Sequence, residues 1–160
     1  MERYKQFFEG KQVGTLYHIT SIINLLSIIK TNQLQGVGIN GVSTTRDKQA
    51  YKHITTIAGT GCQLVLNGDK LSNNYKVEPK QDLTDKYTDE QEEVIKTRIV
   101  KNIKKYIIKV QLLYPHNWDI KDRDLIIINR LMNNNIDDEF NFDLFVEFLN
   151  SNKLKVEIIR

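Results

Sequence analysis

Apolar residues recur along the chain in two rhythms. Leu16–Thr20 (LYHIT) is a short β-prone run. It is followed at once by SIINLLSIIKTNQL, where Ile22, Leu25, Leu26 and Ile29 fall at helical spacing and Ser21 can cap the first turn. The first unit is therefore predicted as strand then helix, with no loop between. Val42–Thr45 reads as a short strand, residues 47–58 as a helix ended by Gly59–Gly61, and Gln63–Leu66 as a strand followed by an Asn67-Gly68 turn. Residues 72–87 are polar and loop-like. Residues 89–96 are acidic and read as a short helix or as a loop leading into a strand. Tyr106–Leu113 is the clearest strand, rich in β-branched residues. Residues 123–133 and 142–150 read as helices, and Val156–Ile159 as a closing strand. Residues 1–13 are polar and aromatic and read as a short helix.

About five strands and about four helices without regular alternation predict a mixed α+β domain, not a parallel doubly wound sheet. The 160 residues suit one domain spanning 1–160, and no repeat or linker interrupts them. A chain of this size needs no disulfide or metal staple. Its single cysteine, Cys62, opens an apolar strand and is expected to be a buried structural thiol. The N-terminal MERYKQFFEGKQ lacks the apolar core of a signal peptide, and the longest apolar runs, such as Leu125–Ile128, fall far short of the ~20 residues that span a bilayer. The expectation is a cytoplasmic protein with no membrane partner.

Charge changes the picture little. With 23 basic and 20 acidic residues the net charge is +3, which does not by itself call for nucleic acid. Lys101, Lys104 and Lys105 cluster and read as a solvated helix end. GVGING, Gly36 to Gly41, fits the letters of a dinucleotide loop, but a helix precedes it and a strand follows, the reverse of what that loop requires. Its glycines are read as a turn that uses positive φ. His18, His53, Cys62 and His116 match no metal-ligand spacing, so no metal is expected.

Three short segments carry candidate chemistry. The first is Tyr17-His18-Ile19-Thr20 with Asn24-Leu25 in the helix. The second is Ser43-Thr44-Thr45-Arg46-Asp47, at the end of a strand. The third is the acidic stretch from Asp89 to Glu93, followed by Val94-Ile95. Strand alternation puts His18 and Thr20 on one face, where an imidazole and a hydroxyl can bind a ribose or an amide together. Arg46, just past a strand end, is expected in solvent, where its loss would be nearly neutral to folding.

In this order the segments resemble the ADP-ribosyltransferase superfamily, and are most similar to the DarT-type enzymes that modify DNA bases. The phrase Leu16–Thr20 with Asn24-Leu25, and Glu93-Val94-Ile95 with Tyr106-Ile107 about a dozen residues on, carry the likeness, which covers roughly residues 14–113. The resemblance implies an ADP-ribosyltransferase-like split mixed sheet with flanking helices, and NAD as the substrate that donates ADP-ribose. It implies that His18 and Thr20, with Asn24, bind the nicotinamide-side ribose. Ser43 and Thr44 would line the strand under the nicotinamide, and Tyr51 would stack on it. Arg46 would contact phosphate or the reacting centre, and Glu93 would be the catalytic carboxylate. The acceptor implied is a nucleic-acid base. The same fold also hosts transfer to protein side chains, NAD-dependent RNA 2′-phosphotransfer and non-catalytic binding or inhibitory modules. An antitoxin or a host target is a further class of partner for such proteins.

Overall fold

The computed structural model describes residues 12–37, 41–49, 61–79, 92–113, 120–134 and 139–159. The predicted first unit is present: β1 (Thr15–Thr20) is followed by α1 (Ile22–Thr31), with Ser21 alone between them. The Ser21 hydroxyl accepts from the Asn24 N–H at 3.2 Å, satisfying one of the orphan donors of the first turn, a bond worth about 1 kcal/mol in a typical helix. The helix ends at Asn32, in the left-handed conformation. Then come β2 (Gln33–Gln35), β3 (Val42–Thr45), β4 (Cys62–Asn67), α2 (Gly68–Ser72), β5 (Val77–Pro79), β6 (Glu92–Ile95), β7 (Ile99–Lys101), a single 3-10 turn at Ile103–Lys105, β8 (Ile107–Leu113), α3 (Asp122–Met132), α4 (Phe142–Ser151) and β9 (Val156–Ile159).

Among the described residues seven strands form one sheet in the order β5-β6-β3-β1-β4-β8-β9, and β2 and β7 form a separate pair. Every neighbouring pair in the large sheet is antiparallel except β8–β9. The protein is thus mixed α+β. One face of the sheet supplies Leu16, Val42, Leu64, Ile95, Val110 and Leu112 to the core, where Leu25, Leu26 and Ile29 of α1, Ile128 of α3, and Phe145 and Leu149 of α4 meet them. Burying such side chains is the main source of stability, at roughly 1.5–3 kcal/mol each. No described helix is long and apolar enough to cross a membrane.

Several sequence expectations are corrected. At the expected Asn67-Gly68 turn the chain enters a short helix: Asn67 caps α2, its side chain accepting from the Lys70 N–H at 2.9 Å. The polar stretch 72–87 contains β5, and the acidic stretch contains β6. The helix expected over 47–58 starts as a turn at 47–49, where the Asp47 carboxylate accepts from the Gln49 N–H at 2.8 Å; residues 50–60 lie outside the described ones. Lys101 belongs to β7, and Lys104 and Lys105 to the 3-10 turn, not to a helix end.

Of the GVGING glycines, Gly36 and Gly41 lie among the described residues, and both sit where backbones approach closely. Gly41 has φ +111°, and a Cβ there would overlap the Ile95 carbonyl; one on Gly36 would overlap the carbonyl of Gly41. This contact seats the start of β3 against the end of β6.

Candidate functional site

The large sheet brings the three chemical segments together. Tyr17 of β1 lies opposite Thr45 of β3, so one residue along each antiparallel strand sets His18 beside Thr44. Thr44 in turn pairs with Glu93 of β6. Alternation then places His18, Thr44 and Glu93 in one row on the same face, across three adjacent strands. His18 and Glu93 are two strand spacings apart, ~10 Å between backbones. The Thr44 hydroxyl donates to the Glu93 carbonyl at 3.0 Å, tying β3 to β6 at this level.

His18 is half-buried, and its Nδ1 lies 2.9 Å from the Ser43 carbonyl oxygen. A carbonyl only accepts, so the geometry assigns the proton of the neutral ring to Nδ1 and leaves Nε2 as an acceptor. Burial pushes the imidazole pKa below its ordinary 6.5, an effect the bond to Ser43 partly offsets. The unfolded chain therefore takes up this proton first on acidification. The stability His18 contributes is complete above pH 6.5 and is lost as pH falls from there through the lowered folded value. Urea unfolding midpoints should thus drop more between about pH 7.5 and about pH 5.5 in the native protein than in His18→Asn, which does not titrate. Equal drops in the two proteins would contradict this assignment.

Glu93 is 5% exposed. Its Oε1 lies 2.7 Å from Nε of Arg46, whose side chain is 36% exposed. Its Oε2 is buried and has no hydrogen-bond partner among the described residues. An unpartnered buried carboxylate oxygen is costly, roughly 1–3 kcal/mol or more; the other such side-chain atom among the described residues is Gln63 Oε1, on the opposite face. Arg46 is exposed, as its position past a strand end suggests, but it is not free: its guanidinium is ion-paired with the buried Glu93 carboxylate.

The other expected residues fall differently. Thr20 shares the face of His18, is 5% exposed, and sits opposite Cys62 on β4. Asn24 is exposed on the first turn of α1, with its backbone N–H committed to Ser21. The Ser43 side chain is exposed on the opposite face from Thr44, and only its carbonyl joins the row. Tyr51 lies outside the described residues. Cys62 is buried in the core, and burial pushes its thiol strongly up, so it is no nucleophile.

Two features were not anticipated from sequence. One is the Arg46–Glu93 ion pair. The other is a buried polar chain on the opposite face: Gln63 Nε2 donates to the Lys48 carbonyl at 3.2 Å and to Gln111 Oε1 at 2.8 Å, and Gln111 Nε2 donates to Glu157 Oε2 at 2.6 Å. Hydrogen bonds from Lys109 and then Gln111 hold the Glu157 carboxyl below its usual range. By anchoring Lys48, this chain fixes the backbone two residues after Arg46.

Compared with known proteins, the sequence matches no family model and no curated protein.

Proposed function

We propose that the protein is an NAD-dependent mono-ADP-ribosyltransferase of DarT-like type, moving ADP-ribose from NAD to a nucleic-acid base. The observation that carries this reading is the Glu93 carboxylate: buried, held at Oε1 by Arg46, without a partner at Oε2 among the described residues, and in one row with the His18 imidazole. On this reading the large sheet and the β2–β7 pair correspond to the split sheet of the ADP-ribosyltransferase fold.

The chemistry explains the residue types. The glycosidic bond of NAD breaks, nicotinamide leaves with the bonding electrons, and positive charge develops at the ribose carbon. The Glu93 carboxylate stabilises that charge, and its Oε2 accepts from a ribose hydroxyl. As the base nitrogen bonds to the ribose carbon, the carboxylate takes up the proton that nitrogen gives up. His18 Nε2 accepts from a ribose hydroxyl, which requires the neutral ring. Arg46 keeps Nε on Glu93 and offers its terminal amino groups to the diphosphate, in charge-assisted hydrogen bonds.

The test is incubation of the purified protein with NAD and a single-stranded oligonucleotide, followed by mass spectrometry. The expected result is an oligonucleotide heavier by one ADP-ribose, with nicotinamide released in equal amount. Nicotinamide release with an unmodified oligonucleotide would overturn the acceptor. The absence of any nicotinamide release, with every acceptor tried, would overturn the enzyme.

A further inference from the structure

We propose that the lysines gathered around the Ile103–Lys105 turn form a docking surface for the phosphate backbone of a nucleic-acid strand. It offers a place for the acceptor in the reading above, but it stands on its own observations and does not require NAD chemistry.

Asn32, the left-handed cap of α1, organises the cluster. Its carbonyl accepts from the Ile103 N–H at 3.2 Å and its side-chain oxygen from the Lys104 N–H at 3.0 Å. The end of α1, carrying exposed Lys30, is thereby pinned to the turn that carries Lys104 and exposed Lys105. Lys101 precedes the turn and is exposed in β7. Lys70 of α2 is drawn in by its Nζ, which donates to the Lys105 carbonyl at 3.0 Å. Lys104 Nζ donates to Asn152 Oδ1 at 3.3 Å, which brings exposed Lys153 alongside.

Six ammonium groups thus come from five separate elements or turns, a grouping invisible in the linear sequence beyond Lys101, Lys104 and Lys105. None of the six forms an ion pair with a carboxylate among the described residues. Asp69, next to Lys70, is turned toward the Val13 and Gly14 N–H groups, from which its Oδ1 accepts at 2.7 and 2.8 Å. The whole chain carries only +3, so the remainder is net negative and this surface holds a concentrated positive field.

The chemistry of the patch selects its partner. It presents point charges with the amides of Asn32, Asn102 and Asn152 among them, and among the described residues none of the large exposed hydrophobics lies on an element that carries one of the six lysines. A peptide or a bilayer would ask for an apolar anchor as well as charge. A phosphodiester strand asks only for cations and amide donors. The location fits too. Asn67, just before α2, pairs with Thr15 at the start of β1 and donates to the Tyr106 carbonyl at 2.8 Å. Arg46 follows Thr45, which pairs near that same end of β1, two strands from β4. The patch and Arg46 therefore lie toward one end of the sheet.

The test is fluorescence anisotropy of a labelled single-stranded oligonucleotide, titrated with the full chain over a range of salt concentrations. Native protein should bind, and the affinity should fall steeply with salt. The triple variant Lys101→Gln, Lys104→Gln, Lys105→Gln should bind more weakly, with a log–log salt slope shallower by about 2, since each lost phosphate contact on a single strand removes about 0.7. Lys76→Gln with Lys96→Gln, outside the patch and ion-paired with Glu78, should bind like the native protein. Equal binding by the triple variant, with its fold verified by circular dichroism, would overturn the proposal. So would equal or tighter native binding to polyglutamate or to anionic phospholipid vesicles. Nicotinamide release from NAD without an oligonucleotide should be unchanged in the triple variant, so failure of this surface and failure of the NAD reading give different results.

Discussion

Glu93→Gln should lower nicotinamide release from NAD by at least about 10²-fold, the usual consequence of losing one preorganised electrostatic partner of a transition state. The substitution is close to isosteric. An amide oxygen can still accept from Arg46 Nε, and Thr44 donates to the backbone carbonyl, which is untouched. What disappears is the negative charge opposite the developing cation, and the ability to take up a proton. Folding should change little, because a neutral amide is cheaper to bury than a carboxylate. Glu92→Gln, at the register position opposite Thr45, should leave turnover as it was. Turnover retained by Glu93→Gln would remove the carboxylate from the mechanism.

Arg46→Ala should lose both activity and stability. It leaves the Glu93 carboxylate buried with neither oxygen partnered, a cost of roughly 1–3 kcal/mol after allowing for the partial exposure of the arginine. For a chain of this length that is a fall in Tm of about 3–10 °C. The same substitution made in Glu93→Gln should cost clearly less, because the stranded charge is gone. The resulting double-mutant cycle measures the coupling directly. Additive losses would show that Arg46 acts independently of Glu93. The expected loss of stability departs from the sequence view that removing Arg46 is nearly neutral to folding, and the departure has one cause: the partner, Glu93, lies on β6, far along the chain and paired with β3 in the sheet.

Legibility in the sequence followed the physics of each element. β1 but for Thr15, α1, β3, the middle of β4, all of β8 and β9 could be read because apolar periodicity and a capping serine are local signals. The strands β2, β5 and β7 (QLQ, VEP and IVK) are too short and polar to show a period, and they exist because neighbours pair with them. β6 begins with two acidic residues, which argues against a strand until the buried ion pair is seen. Within the site, the residue types were legible but their facing was only half so. Alternation already separated Ser43 from Thr44, and applying it would have left Ser43 out of the row. The bond from Thr44 to Glu93, the pairing of Glu93 with Arg46 and the assembly of the lysine surface all depend on contacts between distant segments, for which a single sequence carries no signal.

On the proposed function, one face of the sheet should hold the nicotinamide-side ribose of NAD between His18 and Glu93. A crystal structure of Glu93→Gln soaked with NAD tests it most directly. The predicted density has ribose hydroxyls within hydrogen-bond distance of His18 Nε2 and of the carboxamide at position 93, with the diphosphate near Arg46. A dinucleotide bound on the opposite face beside Ser43, or no dinucleotide bound at all, would contradict the account.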